Sequence, residues 1–365
     1  MKINFIDLQT QYRNLKPEID AAIHAVLDSS QYIMGTQSAA FEKAAAAWLG
    51  VKHAIVCGSG TQAILLALMA LDIGPGDEVI VPPFTFFATA EMPALLKIKP
   101  VFVDIDPDTY MMNPDLIADK ISTRTKAIIP VHLYGQCADM ERITAIAQKN
   151  NIAVIEDAAQ AFGSERNGTK AGAFGALNAF SFFPSKPLGC YGEGGMVTTN
   201  DDALAEKCRL IRVHGMSKRY YHDMVGINGR LDEIQAAVLS VKLRYYNETM
   251  KLREEKGAYY TEHLKEYVTT PVIDAGNNHI YAQYTIAAED RDALAAHCTK
   301  NDIPTAVHYP GGLYNQPALA FLHEKTTDYP ICAQAARTVI SLPFYPDISQ
   351  EHQDMVITTI QSFFA

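Results

Sequence analysis

From about Lys52 to Asn200 the chain alternates short β-branched runs with longer stretches of helical period, and this alternation restricts the fold more than any other feature. "HAIVC", "EVIVP", "PVFVDI", "KAIIPV", "IAVIED" and "NAFSFF" read as buried strands, with "TQAILLALMALDI", "ATAEMPALLKI" and "ADMERITAIAQKNN" as helices between them. Strands separated by helices pair in parallel beneath them, so the pattern predicts an α/β fold with a mainly parallel central sheet. Ligands of such sheets sit outside the carboxyl ends of the strands.

After "NGR" at 228–230 a run of about 37 residues has a helical period and few breakers, which predicts one long helix joining two domains. Beyond it lie further strand candidates, "YAQYTIAA" and "PTAVHY", and helix candidates, "RDALAAHCTKN", "CAQAARTVI" and the segment from Gln350. These suffice for a small C-terminal α/β domain. The expected division is a large domain over 1–250, including an N-terminal segment, and a small domain over 251–365; 365 residues with 48% hydrophobic content fit two domains.

Thirty-one basic against 41 acidic residues give a net charge of −10, which repels a phosphodiester backbone. No nucleic acid partner is expected. The longest apolar runs, such as "AILLALMAL", fall well short of the roughly 20 residues of a membrane span, so no membrane partner is expected either. "MKINFIDLQTQYRNLKP" lacks the apolar core and cleavage site of a signal peptide, and the expected compartment is the cytoplasm. Six cysteines at wide, irregular spacings form no metal-ligand pattern; the expectation is free thiols and no metal.

Three strand ends carry the chemistry. "CGSGTQA" places glycines between a strand and a helix, an anion site with free N–H groups; Gly60 and Thr61 alternatively form only a helix cap. The same stretch matches a dinucleotide fingerprint, but the second strand ends in two prolines instead of the acid that would hold a ribose, which argues against an NAD-dependent oxidoreductase. "AVIEDAAQAFGS" ends a strand in two acids whose side chains point to opposite faces, so one of Glu156 and Asp157 faces the site. A carboxylate there needs a cation, such as a protonated pyridine nitrogen; alternatively Asp157 caps a helix. "FSFFPSKPLGCYGEGG" delivers Lys186 to the same sheet edge, with glycines that turn the chain tightly. Alone a lysine is a solvated charge. Beside an anion cradle and a carboxylate, it completes the phosphate, ring-nitrogen and aldehyde contacts of pyridoxal 5'-phosphate.

The sequence resembles the sugar-nucleotide aminotransferases of the DegT/DnrJ/EryC1/StrS family. The likeness runs from "FIDLQTQY" through "SGTQAI", "GDEVIVPPFTFFATA", "DIDPDTY", "IPVHLYGQCADM", "VIEDAAQAFG", "FSFFPSKPLGCYGEGGMVTTND" and "VGINGRLDEIQAA" to "TAVHYP" and "SLPFYP". It implies a fold-type I, aspartate aminotransferase-like pyridoxal phosphate transferase. It also implies that Lys186 is joined covalently to the cofactor aldehyde, Asp157 pairs with the ring nitrogen and Gln160 lies near the ring hydroxyl. Phe86 stacks on the ring, unless it is ordinary core. Gly60, Thr61 and Ser181 hold the phosphate, and Asn228 reaches the phosphate of a neighbouring subunit, so a homodimer with interfacial active sites is implied. Related dehydratases carry histidine in place of the lysine; Lys186 keeps this chain with the transaminases.

The branch it most resembles aminates C3 of a UDP-linked 2-acetamido-3-keto-hexuronic acid, on a route to bacterial lipopolysaccharide (O-antigen) sugars, with L-glutamate as the donor. In that branch Arg230, His308 and Tyr309 lie at the substrate, where an Arg fork suits a carboxylate or phosphate. The alternatives are a helix-start salt bridge for Arg230 and a satisfied strand pair for His308 and Tyr309. The basic stretch Arg212–Met224 either faces a pyrophosphate or is a solvated loop. A 4-keto or 3-keto deoxysugar aminotransferase acting on UDP- or dTDP-sugars is the alternative within the class, and a non-catalytic cofactor-binding regulator the alternative outside it.

Overall fold

Seven strands form the central sheet of the computed structural model, which describes residues 3–365. They are β1 (His53–Cys57), β2 (Glu78–Val81), β3 (Lys99–Phe102), β4 (Thr125–Ile128), β5 (Ala153–Asp157), β6 (Leu177–Ser181) and β7 (Gly195–Thr199), in the spatial order β1-β7-β6-β5-β4-β2-β3. Every neighbouring pair is parallel except the two made by β7, which runs antiparallel to β1 and β6. The near-continuous apolar runs follow from this arrangement, since helices cover both faces.

Helices α1 (Leu8–Ser29) and α2 (Thr36–Leu49) precede the sheet; α3 (Gly60–Ala70), α4 (Ala88–Leu95), α5 (Met140–Lys149) and α6 (Asp202–Ile211) connect or follow its strands. The helical run after residue 230 is not one helix but two, α7 (Glu233–Arg244) and α8 (Tyr246–Leu264), broken at Tyr245 (φ −103°, ψ 7°). The break turns the Tyr246 ring inward, where it is fully buried against Phe162 and Trp48. No regular helix follows β5, where two successive turns carry the chain from Ala158 to Ser164.

Beyond α8 lie an antiparallel pair, β8 (Tyr284–Ala287) and β9 (Val339–Leu342), with α9 (Arg291–Lys300), α10 (Pro330–Thr338) and α11 (Gln350–Phe364). Their core takes in Tyr260 and Leu264 of α8 and also Ile3, so the N-terminal segment packs with the C-terminal elements. Residue 250 falls inside α8. "PTAVHY" is not a strand: only Ala306 pairs, with Ser341. Pro304 has no N–H for a ladder, and the chain leaves the sheet so that His308 and Tyr309 turn toward the carboxyl edge of β5. Among the described residues no helix is long and apolar enough to cross a membrane, and no cluster suits a metal ion. All six cysteines are free and buried.

Candidate active site

The carboxyl ends of β1, β5 and β6 open toward one place. After β1, Ser59 caps α3 by accepting the Gln62 N–H at 3.1 Å, leaving the N–H groups of Gly60 and Thr61 without intrahelical acceptors. Gly60 lies against the end of β6: a Cβ there would stand 2.7 Å from Ser181 Cβ. Helix N-terminus, bare glycine and serine hydroxyl thus form a cradle suited to a phosphate.

Asp157 is buried at the end of β5. Its Oδ2 accepts from Thr89 Oγ1 at 2.7 Å and its Oδ1 from the Ala159 N–H at 3.2 Å. Burial raises its pKa, opposed by these hydrogen bonds and by the charge of Lys186. Glu156 points to the other face, as strand alternation requires, and accepts the N–H groups of Gly172 (2.7 Å), Phe174 (2.6 Å) and Gly175 (2.8 Å) and a hydrogen bond from His132 Nε2 (2.7 Å). The Ala138 N–H donates to His132 Nδ1, which places the ring proton on Nε2. Glu156 therefore anchors the strand end while Asp157 serves the site.

Gln160 lies between two tyrosines, accepting the Tyr134 N–H at 2.7 Å and donating to the Tyr309 hydroxyl at 3.2 Å. The Tyr134 hydroxyl donates to the His308 carbonyl, and His308 Nδ1 lies 2.9 Å from Ser341 Oγ. Burial and the nearby charge of Lys186 both lower the His308 pKa; burial and Asp157 raise that of Tyr309. Lys186 itself is half-buried, and desolvation of its amine lowers its pKa while Asp157 acts in the opposite direction. A depressed lysine pKa leaves a larger share of the amine neutral and nucleophilic.

Phe86 is 58% exposed at the start of α4, one turn before Thr89, so it is not part of the core. Among the described residues Arg230 makes no salt bridge and its Nε is buried without a partner; its carbonyl lies 3.3 Å from where a Gly58 Cβ would stand. Asn228 is exposed on the same loop, its backbone bridged to Val213. In the basic stretch Arg212 is buried and paired with Glu42 at 2.6 Å, whereas Lys218, Arg219, Tyr220 and Tyr221 are exposed. Thr89 and Tyr134 had no local signature marking them for this site, although both fall in motifs already noted.

These groups fit pyridoxal phosphate. Asp157 is a buried carboxylate with the Lys186 amine as its cationic neighbour, so a protonated ring nitrogen would supply a further partner. The cradle at Gly60 suits a phosphate, and the bare face of Phe86 offers a plane for a flat ring.

Comparison with known proteins agrees with this fit. The profile of the DegT/DnrJ/EryC1/StrS aminotransferase family matches residues 13–361. The chain is 48% identical to the UDP-2-acetamido-2-deoxy-3-oxo-D-glucuronate aminotransferase of Pseudomonas aeruginosa over 94% of this chain and 95% of that one. It is 47% identical to a pleiotropic regulatory protein of Geobacillus stearothermophilus over 100% and 99% of the two chains. The solved structure of NtdA from Bacillus subtilis, with the cofactor PMP bound, superposes with a TM-score of 0.90 at 29% identity, covering 96% of this chain and 82% of that one.

Proposed function

This chain belongs to the DegT/DnrJ/EryC1/StrS aminotransferase family, and we propose that it aminates C3 of a UDP-linked 2-acetamido-2-deoxy-3-oxo-hexuronic acid at the expense of L-glutamate. It is a pyridoxal-phosphate-dependent transaminase. The observation that carries the reading is the convergence of Lys186, Asp157 and the His308–Tyr309 pair at one strand-end site.

When bound, pyridoxal phosphate supplies an aldehyde that carries the amino group and a ring that spreads the electron pair left when a Cα–H bond breaks. Lys186 would hold the aldehyde, and its free amine would serve as the base that takes a proton from the donor Cα and as the acid that gives one to the sugar carbon. Asp157 keeps negative charge, backed by Thr89, where the ring nitrogen must stay protonated. Gln160 orients the ring hydroxyl, Phe86 covers one ring face, and Gly60, Thr61 and Ser181 hold the phosphate. On the substrate side Arg230 offers a fork for the uronate carboxylate or a phosphate, and His308 and Tyr309 hydrogen-bond the sugar.

The exposure of Asn228, together with exposed Tyr220, Tyr221 and Val225 on the segment just before it, supports a homodimer in which this loop reaches the partner's phosphate cradle. The proposed setting is the cytoplasm, on a route to lipopolysaccharide sugars. Incubating the enzyme with glutamate and a panel of 3-keto and 4-keto UDP- and dTDP-sugars, while following 2-oxoglutarate release, tests the reading. Turnover of the 3-oxo-uronate supports it, turnover of 4-keto deoxysugars alone moves the enzyme to another branch, and turnover of none fits a cofactor-binding regulator.

A further inference from the structure

Helix α7 grips the segment that carries Lys186 at two points. Lys242 Nζ donates to the Gly189 carbonyl at 2.6 Å, and Gln235 Oε1 accepts the Tyr191 N–H at 2.8 Å. The segment closes on itself, with the Lys186 N–H donating to the Phe183 carbonyl and the Cys190 N–H to the Phe182 carbonyl, each at 2.8 Å. Gly189 sits so close to the carbonyls of Phe183 and Pro184 that any Cβ would collide with them.

Lys242 is a costly way to make one of these contacts. It is 4% exposed, and no carboxylate pairs with it among the described residues; its ammonium instead lies 4.3 Å from the centre of the Tyr191 ring. Burial pulls its pKa down to about 8. Burying an ammonium costs free energy that the one hydrogen bond to the Gly189 carbonyl offsets only in part, so stability alone does not account for the lysine. Leu188 and Cys190 bury the base of the loop in the core, while Pro187, Leu188 and Lys242 line a solvent-open groove of about 180 Å³ shared with α1 and α8. Apolar packing seats the base of a loop but does not fix its direction as polar contacts do, and a proton-transferring amine has to be held to within a fraction of an ångström.

The geometry points to Lys242 and Gln235 as positioning residues for amino transfer: by tying Gly189 and Tyr191 to α7, they set the direction of the Lys186 amine. This rests on the reading of Lys186 as the cofactor-bearing base.

The test compares holoenzyme with Lys242→Met and Gln235→Leu for the rate of the glutamate half-reaction, the KM for glutamate, hydrogen exchange across 183–194 and the borohydride-trapped adduct at Lys186. Both variants are expected to keep the adduct and to melt within about 3 °C of wild type. The half-reaction slows about tenfold in Lys242→Met, and less in Gln235→Leu, at unchanged KM. Exchange across 183–194 accelerates, and the double variant slows by less than the product of the two singles. Rate and exchange within about twofold of wild type in both variants overturn the inference. Should Lys242→Met fail to fold, Gln235→Leu decides alone, since it removes a single hydrogen bond. A wild-type protein without an adduct at Lys186 refutes instead the reading on which the inference rests.

Discussion

Glu156 and Asp157, neighbours on β5, turn their carboxylates to opposite faces of the sheet: Glu156 into a nest of three backbone N–H groups and His132, Asp157 toward Thr89 and Lys186. One acid holds the strand end so that the other can work.

Glu156→Gln should therefore act on stability before it acts on chemistry. The amide directs N–H groups at donors already aimed inward, and leaving such buried donors unmatched costs about 2–3 kcal/mol. Thermal or urea unfolding of the cofactor-free protein reads this loss, and a change below about 0.5 kcal/mol would contradict the anchoring role.

Asp157→Asn should show the opposite balance. Burial raises the folded-state pKa of Asp157 above its unfolded value, so its favourable contribution is present below the ordinary aspartate range and fades as pH rises through the raised pKa. At pH 7 the cofactor-free Asn variant is expected to be at least as stable as wild type, an advantage that disappears in acid. Its transamination rate falls by about a thousandfold, because a neutral amide does not keep the ring nitrogen protonated. Melting curves at several pH values, paired with steady-state rates, check both halves.

Gly60→Ala places a methyl 2.7 Å from Ser181 Cβ, inside the phosphate cradle. The Kd for pyridoxal phosphate is expected to rise about tenfold to a hundredfold, while that for pyridoxal, which lacks the phosphate, changes little. Fluorescence titration with both compounds separates lost phosphate binding from general damage.

Lys186→Ala and Asn228→Ala lie on opposite sides of the proposed dimer interface. Each alone is expected to be inactive or nearly so. Refolded together, half of the dimers carry one site intact in both residues, so activity returns to about a quarter of wild type. No recovery would place Asn228 in its own subunit's site, and full activity of Asn228→Ala alone would place it outside any site.

Much of the sheet was legible because its strands are buried on both faces and read as apolar runs: the six runs proposed as strands overlap β1 to β6. The seventh strand was hidden behind the glycines of "GEGGMVTT", and its antiparallel pairing follows from a chain reversal that periodicity does not encode. The helical run after residue 230 kept its period across Tyr245, so the break was invisible until the burial of Tyr246 was known. Strand ends marked Asp157 and Lys186 through local grammar. Thr89 lies 68 residues from Asp157, Tyr134 lies 174 from His308, and Lys242 lies 53 from Gly189; such meetings depend on how strands and helices assemble, which no window of sequence contains.

All of the proposed chemistry depends on residue 186. Reduction of the holoenzyme with borohydride, followed by peptide mass mapping, should place a phosphopyridoxyl group on Lys186, and Lys186→Ala should carry none. A label on any other lysine, or none on the wild-type enzyme, would contradict it.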